Sequence, residues 1–223
     1  MTQEELNKAL IESARTGEIK EVRDLVAAGA QVGHADYLDR RALHFAAIKG
    51  HLPIVEFLLA NGAEIGAGNK NRQQALHLAA LKGHLPVVKF LLEKGAEIGA
   101  VDKSGKQALH LAVKYGHLPV VKHLLEKGMP VDAADKSGRQ ALHLAAGKGC
   151  LSVAEFLLES GADPEAKDKE GREPSIHADG HPEVMALLKT WDDPSFRQKT
   201  AAEAIRAHWK RMAGRVPKPG PRL

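Results

Sequence analysis

The chain has 223 residues, a formal net charge of +4 and an aromatic content of 4%. So few aromatic side chains exclude a large aromatic core, and leucine, alanine and valine must supply the packing. Cys150 is the only cysteine, which excludes an internal disulfide, and no signal-peptide pattern follows Met1. Both features favour an intracellular location, in the cytoplasm, the nucleus or both. No apolar run approaches the roughly 18–20 residues that span a bilayer.

The positive charge is concentrated at the C-terminal end of the chain. Residues 193–223 contain eight Lys and Arg against two acidic residues, a balance of +6, whereas the preceding 192 residues contain 24 basic and 26 acidic side chains. The basic character therefore belongs to the tail. It does not predict a nucleic-acid partner, because the aromatic side chains that would stack on bases are few.

The sequence repeats itself with a period of 33 residues. Residues 83–112 and 116–145 are identical at 23 of 30 positions, and Ala-Leu-His recurs at residues 42–44, 75–77, 108–110 and 141–143. A fixed period of this length predicts a stack of one supersecondary unit, in which each repeat buries its apolar face against its neighbours.

Each unit predicts two helices and a turn. Thr2 and Glu5 have the spacing of a capping box, so the first helix is expected to begin there. Residues 75–83, ALHLAALKG, predict a short helix that ends at a glycine. Residues 85–92, LPVVKFLL, predict a second helix with proline in its first turn and an apolar face toward the stack. Residues 100–107, AVDKSGKQ, predict a projecting hairpin.

The last unit is irregular. We expect one extra residue where residues 171–174 open it, and a first helix shortened to a turn. Residues 1–190 are predicted to be one domain of about six units whose first and last members are caps, because one face of each meets water. A basic amphipathic helix is predicted over residues 191–215 and a disordered, proline-rich tail over residues 216–223.

The repeated Gly-His, Ala-Leu-His and Leu-Leu…Gly residues resemble the ankyrin-repeat family. The resemblance implies an all-α solenoid of about six helix–turn–helix repeats with projecting hairpin fingers and a C-terminal helix. It also implies a non-enzymatic scaffold or adaptor that acts through protein–protein interaction. The usual Thr-Pro before Leu-His is Gln-Ala or Arg-Ala here. Glutamine has no γ-hydroxyl, so we expect these first helices to be capped differently.

The twelve histidines do not predict a metal site, and no cofactor is expected. Zinc ligands lie about 2.0–2.1 Å from one ion, whereas neighbouring helices pack about 8–10 Å apart, so one histidine per repeat cannot form a shared site. Each Ala-Leu-His histidine is instead expected to bond backbone in the adjoining turn. His123 replaces Phe57 and Phe90 and is expected to be partly buried and neutral. Cys150 has no fixed basic neighbour, which argues against an activated thiolate.

The resemblance implies that the finger tips and the exposed sides of the first helices form a concave groove for a partner. These positions are mostly basic, with a few apolar side chains: Tyr37, Leu38, Arg40, Ile48, Lys49, Lys70, Arg72, Leu81, Lys82, Lys103, Lys106, Lys114, Tyr115, Lys136, Arg139 and Lys148. They predict that a monomer holds an acidic or mixed partner segment, with Tyr37, Leu81 and Tyr115 as anchors. The other interpretation is that the lysines only keep the surface soluble.

A second candidate partner site lies in the predicted C-terminal helix. Part of its spacing is similar to an IQ motif, the calmodulin-binding helix. The residues concerned are Ile205, Arg206, Trp209, Lys210, Arg211 and Arg215. The alternative function is therefore binding of calmodulin or a related EF-hand protein, with the repeats as a targeting module. The competing interpretation is a helix that packs over the last repeat.

Overall fold

The structure, a computed structural model, describes residues 1–191 and divides them among twelve helices. They form six helix–turn–helix units, and the backbone bridges outside helices in these residues are the isolated pairs Ala35–Arg41 and Ala134–Gln140. The all-α solenoid is thus confirmed. None of the helices described in residues 1–191 has the length and apolar character to span a bilayer.

The helices alternate between two layers. The first helix of each unit is α1 (Gln3–Thr16), α3 (Ala42–Lys49), α5 (Ala75–Lys82), α7 (Ala108–Lys114), α9 (Ala141–Ala146) or α11 (Pro174–His177). The second helix is α2 (Ile19–Ala27), α4 (Leu52–Ala60), α6 (Leu85–Glu93), α8 (Leu118–Glu126), α10 (Leu151–Glu159) or α12 (Pro182–Thr190). First helices contact first helices of the adjacent units, and second helices contact second helices, as a linear stack requires.

One continuous apolar cluster runs the length of the stack, from Leu10 to Trp191. On the second helices it contains the predicted stripe, in which Val87, Val88 and Leu91 are fully buried. In the second helices, the spacing of the apolar residues determines which face is buried, as the stripe at Val87, Val88 and Leu91 shows.

The predicted capping box at the start of α1 is also present, because Thr2 Oγ1 accepts from the Glu5 N–H and the Glu5 carboxylate accepts from the Thr2 N–H.

The last unit keeps the 33-residue register at its start. Asp168, the first residue of the last finger, follows Asp135 by 33 residues, and Pro174, the first residue of α11, follows Ala141 by 33 residues. The predicted extra residue at 171–174 was therefore wrong. The shortened first helix is confirmed, since α11 has four residues. The position of the Ala-Leu-His histidine is taken by Ile176, which is 61% exposed. The irregularity therefore begins after the helix start, within the shortened α11.

His123 occupies an apolar column of the second helices. Its side chain is 13% exposed, as its substitution for phenylalanine predicts, and its Nδ1 lies 3.7 Å from the Glu126 carboxylate. Among residues 1–191 its buried Nε2 has no hydrogen-bond partner. Phe57, Phe90 and Phe156 fill the same position in neighbouring units.

We expect His123→Phe to stabilise the protein by about 1 kcal/mol, because it removes a buried polar atom that lacks a partner. The free energy of unfolding in urea, followed by circular dichroism, measures the change. The reciprocal variant Phe90→His is the control and should destabilise the protein. Equal losses of stability in both variants would show that the column does not prefer a phenylalanine at residue 123.

Candidate functional site

Five hairpin fingers project between consecutive units, and each is closed by the same bonds. The fingers comprise residues 36–40, 69–73, 102–106, 135–139 and 168–172. In finger 102–106 the Asp102 N–H donates to the Lys106 carbonyl at 2.9 Å. The Asp102 Oδ1 accepts from the N–H groups of Ser104 and Lys106 at 2.8 and 2.9 Å. A short acidic or amide side chain at the first finger position thus accepts hydrogen bonds from the backbone N–H groups of its own turn.

Neighbouring fingers are joined edge to edge by backbone hydrogen bonds. The Lys103 N–H donates to the Asn71 carbonyl at 2.8 Å, and the Lys136 N–H donates to the Ser104 carbonyl at 3.0 Å. Lys70 and Lys169 make the equivalent bonds. This ladder fixes the spacing of the finger tips, so the side chains they carry form a regular row.

The Ala-Leu-His histidines connect each first helix to the next finger. His110 Nδ1 accepts from the Gln107 N–H at 3.1 Å, and its Nε2–H donates to the Ala133 carbonyl at 3.0 Å. The Nδ1 atoms of His44, His77 and His143 likewise accept from the N–H at their own helix start. The Nε2–H of His77 and of His143 donates to the last residue of the next finger, Lys106 or Arg172, and that of His44 lies within 3.1 Å of both the Ala67 and Gln73 carbonyls. The expected backbone bonding is confirmed, and each Nδ1 accepts from the N–H of the N-cap residue, as the third-position side chain of a capping box does.

Burial lowers the pKa of His44, His77, His110 and His143 below the ordinary value of 6.5. The unfolded chain therefore binds more protons than the folded one once the pH falls below about 6.5. We expect the free energy of unfolding to be highest near neutral pH and to fall between about pH 6.5 and pH 5. Urea titrations across this range test it, with His110→Gln as a variant that should show a shallower slope. Stability that is constant or rises toward pH 5 would contradict the burial of neutral histidines.

A cavity of about 310 Å³ lies between the first two fingers and helices α3 and α5. We call it the apolar pocket, because its wall contains Leu38, Phe45, Ile48, Leu78 and Leu81. Arg40 and Lys70 also line it. The Arg40 guanidinium lies 4.8 Å from the centre of the Phe45 ring and so packs over its face.

A second cavity, of about 430 Å³, continues the first along the stack. It lies between fingers 69–73 and 102–106 and helices α5 and α7, and shares Asn71, Gln73 and Leu81 with the apolar pocket. We call it the lysine pocket, because Lys103, Lys106 and Lys114 line it together with Tyr115. The two pockets together are the groove, and they bring together residues predicted from both the fingers and the first helices.

The fold agrees with a comparison of the sequence with protein families. The family profile described as ankyrin repeats (3 copies) matches residues 10–102 and 76–168, which is more than half of the chain. The chain belongs to the ankyrin-repeat family. Comparison with curated protein sequences gives no match. Ankyrin repeats generally mediate protein–protein interaction and are typically not enzymes.

Several predicted binding residues of this ankyrin stack lie outside the two pockets. Tyr37, Lys49, Lys82, Lys136 and Lys148 are exposed along the stack. Arg72 instead lines a different cleft, which contains Glu97, Gly99 and Val101. It occupies the fourth finger position with a φ of 58°, where the next fingers have Gly105 and Gly138. Its binding role stays a prediction.

Two of the predicted arginines are held within their own fingers. The Arg139 guanidinium pairs with the Asp135 carboxylate at 2.9 Å, and Arg40 pairs with Asp36 at 2.7 Å. The arginine partner, together with backbone N–H groups, keeps the pKa of both aspartates below the ordinary value despite their burial. Lys106 stands at the same finger position as both arginines. These two ankyrin fingers therefore use their arginines to stabilise the turn.

Three residues that line the groove were not predicted from the sequence: Phe45 and the two amides shared by the pockets, Asn71 and Gln73. A signal for Phe45 was present, because Leu78, Leu111 and Leu144 occupy its position in the following repeats. One phenylalanine at a position that is leucine in the next three repeats indicates that the wall of the groove differs at this repeat.

Two other sequence predictions have different outcomes. Burial raises the pKa of the Cys150 thiol, in agreement with the expectation that it is not an activated nucleophile. The six IQ-like residues between 205 and 215 lie outside residues 1–191, as do the predicted C-terminal helix beyond Trp191 and the tail. Binding of calmodulin therefore stays a prediction.

Proposed function

We propose that this ankyrin-repeat protein is an adaptor whose groove binds an acidic segment of a partner protein. The observation that carries the proposal is the set of cations in the groove. Lys70, Lys103, Lys106 and Lys114 line its two pockets. Within residues 1–191 none of these ammonium groups has a carboxylate within 4.0 Å. Unpaired cations on a fixed row attract and orient a chain of opposite charge.

Apolar surface beside these cations supports a protein partner. Tyr115 is 54% exposed at the edge of the lysine pocket, with the Lys114 Nζ 5.4 Å from its ring centre. Leu38, Ile48 and Leu81 are only half-buried. Tyrosine is enriched in protein interfaces, where it adds buried area, while the surrounding charges set orientation.

The proposal is tested by reversing the charge of the lysine pocket. We expect the triple variant Lys103→Glu, Lys106→Glu, Lys114→Glu to bind about ten-fold or more weakly than the native protein, because each reversal replaces attraction with repulsion. Fluorescence anisotropy of a fluorescein-labelled peptide that carries glutamates and a single leucine measures the affinity. The loss should shrink at high salt, where surface charges are screened.

The control has the same change of charge elsewhere. Lys20, Lys89 and Lys127 are exposed on or next to second helices. Their triple replacement by glutamate should leave affinity within about two-fold of native, since these residues line neither pocket. Equal losses in the two triple variants would mean that net charge alone drives binding, and the groove would then have no specific role.

A further inference from the structure

We infer that the groove recognises a partner segment with a fixed order: an apolar side chain in the apolar pocket, and acidic side chains about three residues away, over the lysine pocket. The inference rests on the proposed function and specifies the partner's chemistry. The groove is not uniform, because its two pockets differ in the side chains that form their walls.

The change of character occurs at one position on successive first helices. Ile48 of α3, Leu81 of α5 and Lys114 of α7 are related by the 33-residue period. Ile48 and Leu81 line the apolar pocket, and Lys114 lines the lysine pocket. Because these helices stack side by side, the floor of the groove changes from aliphatic to cationic within a single repeat.

The fingers change in the same direction. Leu38 in the first finger is followed at the same position by Asn71 and Ser104. Arg40 of the first finger is already paired with Asp36 and packed over Phe45. A partner's carboxylate would therefore have to compete with Asp36 for Arg40. One lysine, Lys70, lines the apolar pocket, whereas Lys103, Lys106 and Lys114 line the lysine pocket. Most of the positive charge of the groove therefore lies in the lysine pocket, one repeat beyond its most apolar part.

The repeat spacing converts this separation into a spacing in the partner. Neighbouring helices pack about 8–10 Å apart, and an extended chain advances about 3.3 Å per residue. One repeat of the stack therefore corresponds to about three residues of an extended partner. A side chain that enters the apolar pocket places residues about three positions away over the lysine pocket.

Selection from a library of random peptides displayed on phage tests the order without a known partner. The native protein is the target, and the triple lysine variant is used to remove peptides that do not need the lysine pocket. We expect the enriched peptides to contain Leu, Ile, Met or an aromatic residue about three positions from a pair of acidic residues. Synthetic peptides with the same composition and a longer spacing should bind about ten-fold more weakly.

A matched variant separates the two parts of the groove. Ile48 is half-buried and lines only the apolar pocket of the two. We expect Ile48→Ser to lose the preference for the apolar residue and to keep the preference for acidic residues. Acidic peptides enriched without any preferred apolar position would overturn the inferred order and leave the proposed function intact. Enriched peptides without acidic residues, or no enrichment over the lysine variant, would overturn both.

Discussion

Replacement of His110 by alanine is expected to destabilise the protein by about 2–4 kcal/mol. The His110 side chain is fully buried and contacts backbone on two sides, since Nδ1 accepts from the Gln107 N–H and Nε2 donates to the Ala133 carbonyl. The variant leaves both backbone groups without these partners and creates a cavity between two repeats. Urea unfolding followed by circular dichroism measures the loss.

His84→Ala is the matched control for this prediction. His84 is half-buried, and within residues 1–191 its side chain makes one hydrogen bond, from Nε2 to the Ile48 carbonyl at 3.1 Å. Its removal is expected to cost about 1 kcal/mol, the usual value for one partly exposed bond. Equal costs for the two variants would show that the two-sided contact of His110 contributes nothing beyond a single bond.

Gly83→Ala is expected to cost about 2–4 kcal/mol, and Gly116→Ala only about 1–2 kcal/mol. Both glycines have a left-handed backbone, with φ of 74° and 71°. A Cβ on Gly83 would lie 2.6 Å from His117 Nδ1, which would displace a ring whose Nε2 donates to the Leu81 carbonyl at 3.0 Å. A Cβ on Gly116 would lie 3.4 Å from the Cys150 sulfur, which is ordinary contact.

The comparison of the two glycines separates backbone strain from steric overlap. Both alanine variants share the backbone strain. The difference between their losses of unfolding free energy therefore measures the cost of the overlap between the new Cβ and the His117 ring. Adding Cys150→His to Gly116→Ala should raise the cost of the alanine to that of Gly83→Ala, because it restores the histidine found in the other units. Unchanged cost in this double variant would contradict the steric explanation.

Most of the ankyrin fold could be predicted from the sequence because it depends on local patterns. The period, the apolar stripe at Val87, Val88 and Leu91, and the helix-ending glycines each specify local structure without long-range information. The register of the last repeat could not be inferred from His177, because that histidine is displaced by one residue. Its Nε2 contacts the Asp168 carboxylate at 3.0 Å instead of a backbone carbonyl. The finger at Asp168 kept the period and was the better guide.

The candidate site was predicted less completely, for reasons visible in particular residues. Sequence position alone placed Arg40 and Arg139 on the binding surface, but each has an aspartate four residues earlier in its own finger. Arg72 stands at the finger position where the next two fingers have glycine. Glycine at this position was a signal of the left-handed backbone that Arg72 adopts. The joining of two pockets at Leu81 depends on how fingers and helices stack, which a one-dimensional pattern does not contain.

The location of bound peptide is the most direct test of the groove. Two-dimensional NMR spectra of the labelled protein, titrated with a peptide selected by phage display, report which backbone amides change. We expect the changes to concentrate in fingers 69–73 and 102–106 and in helices α5 and α7. Changes confined to the second helices α4, α6 and α8 would contradict the central claim that the groove is the binding surface.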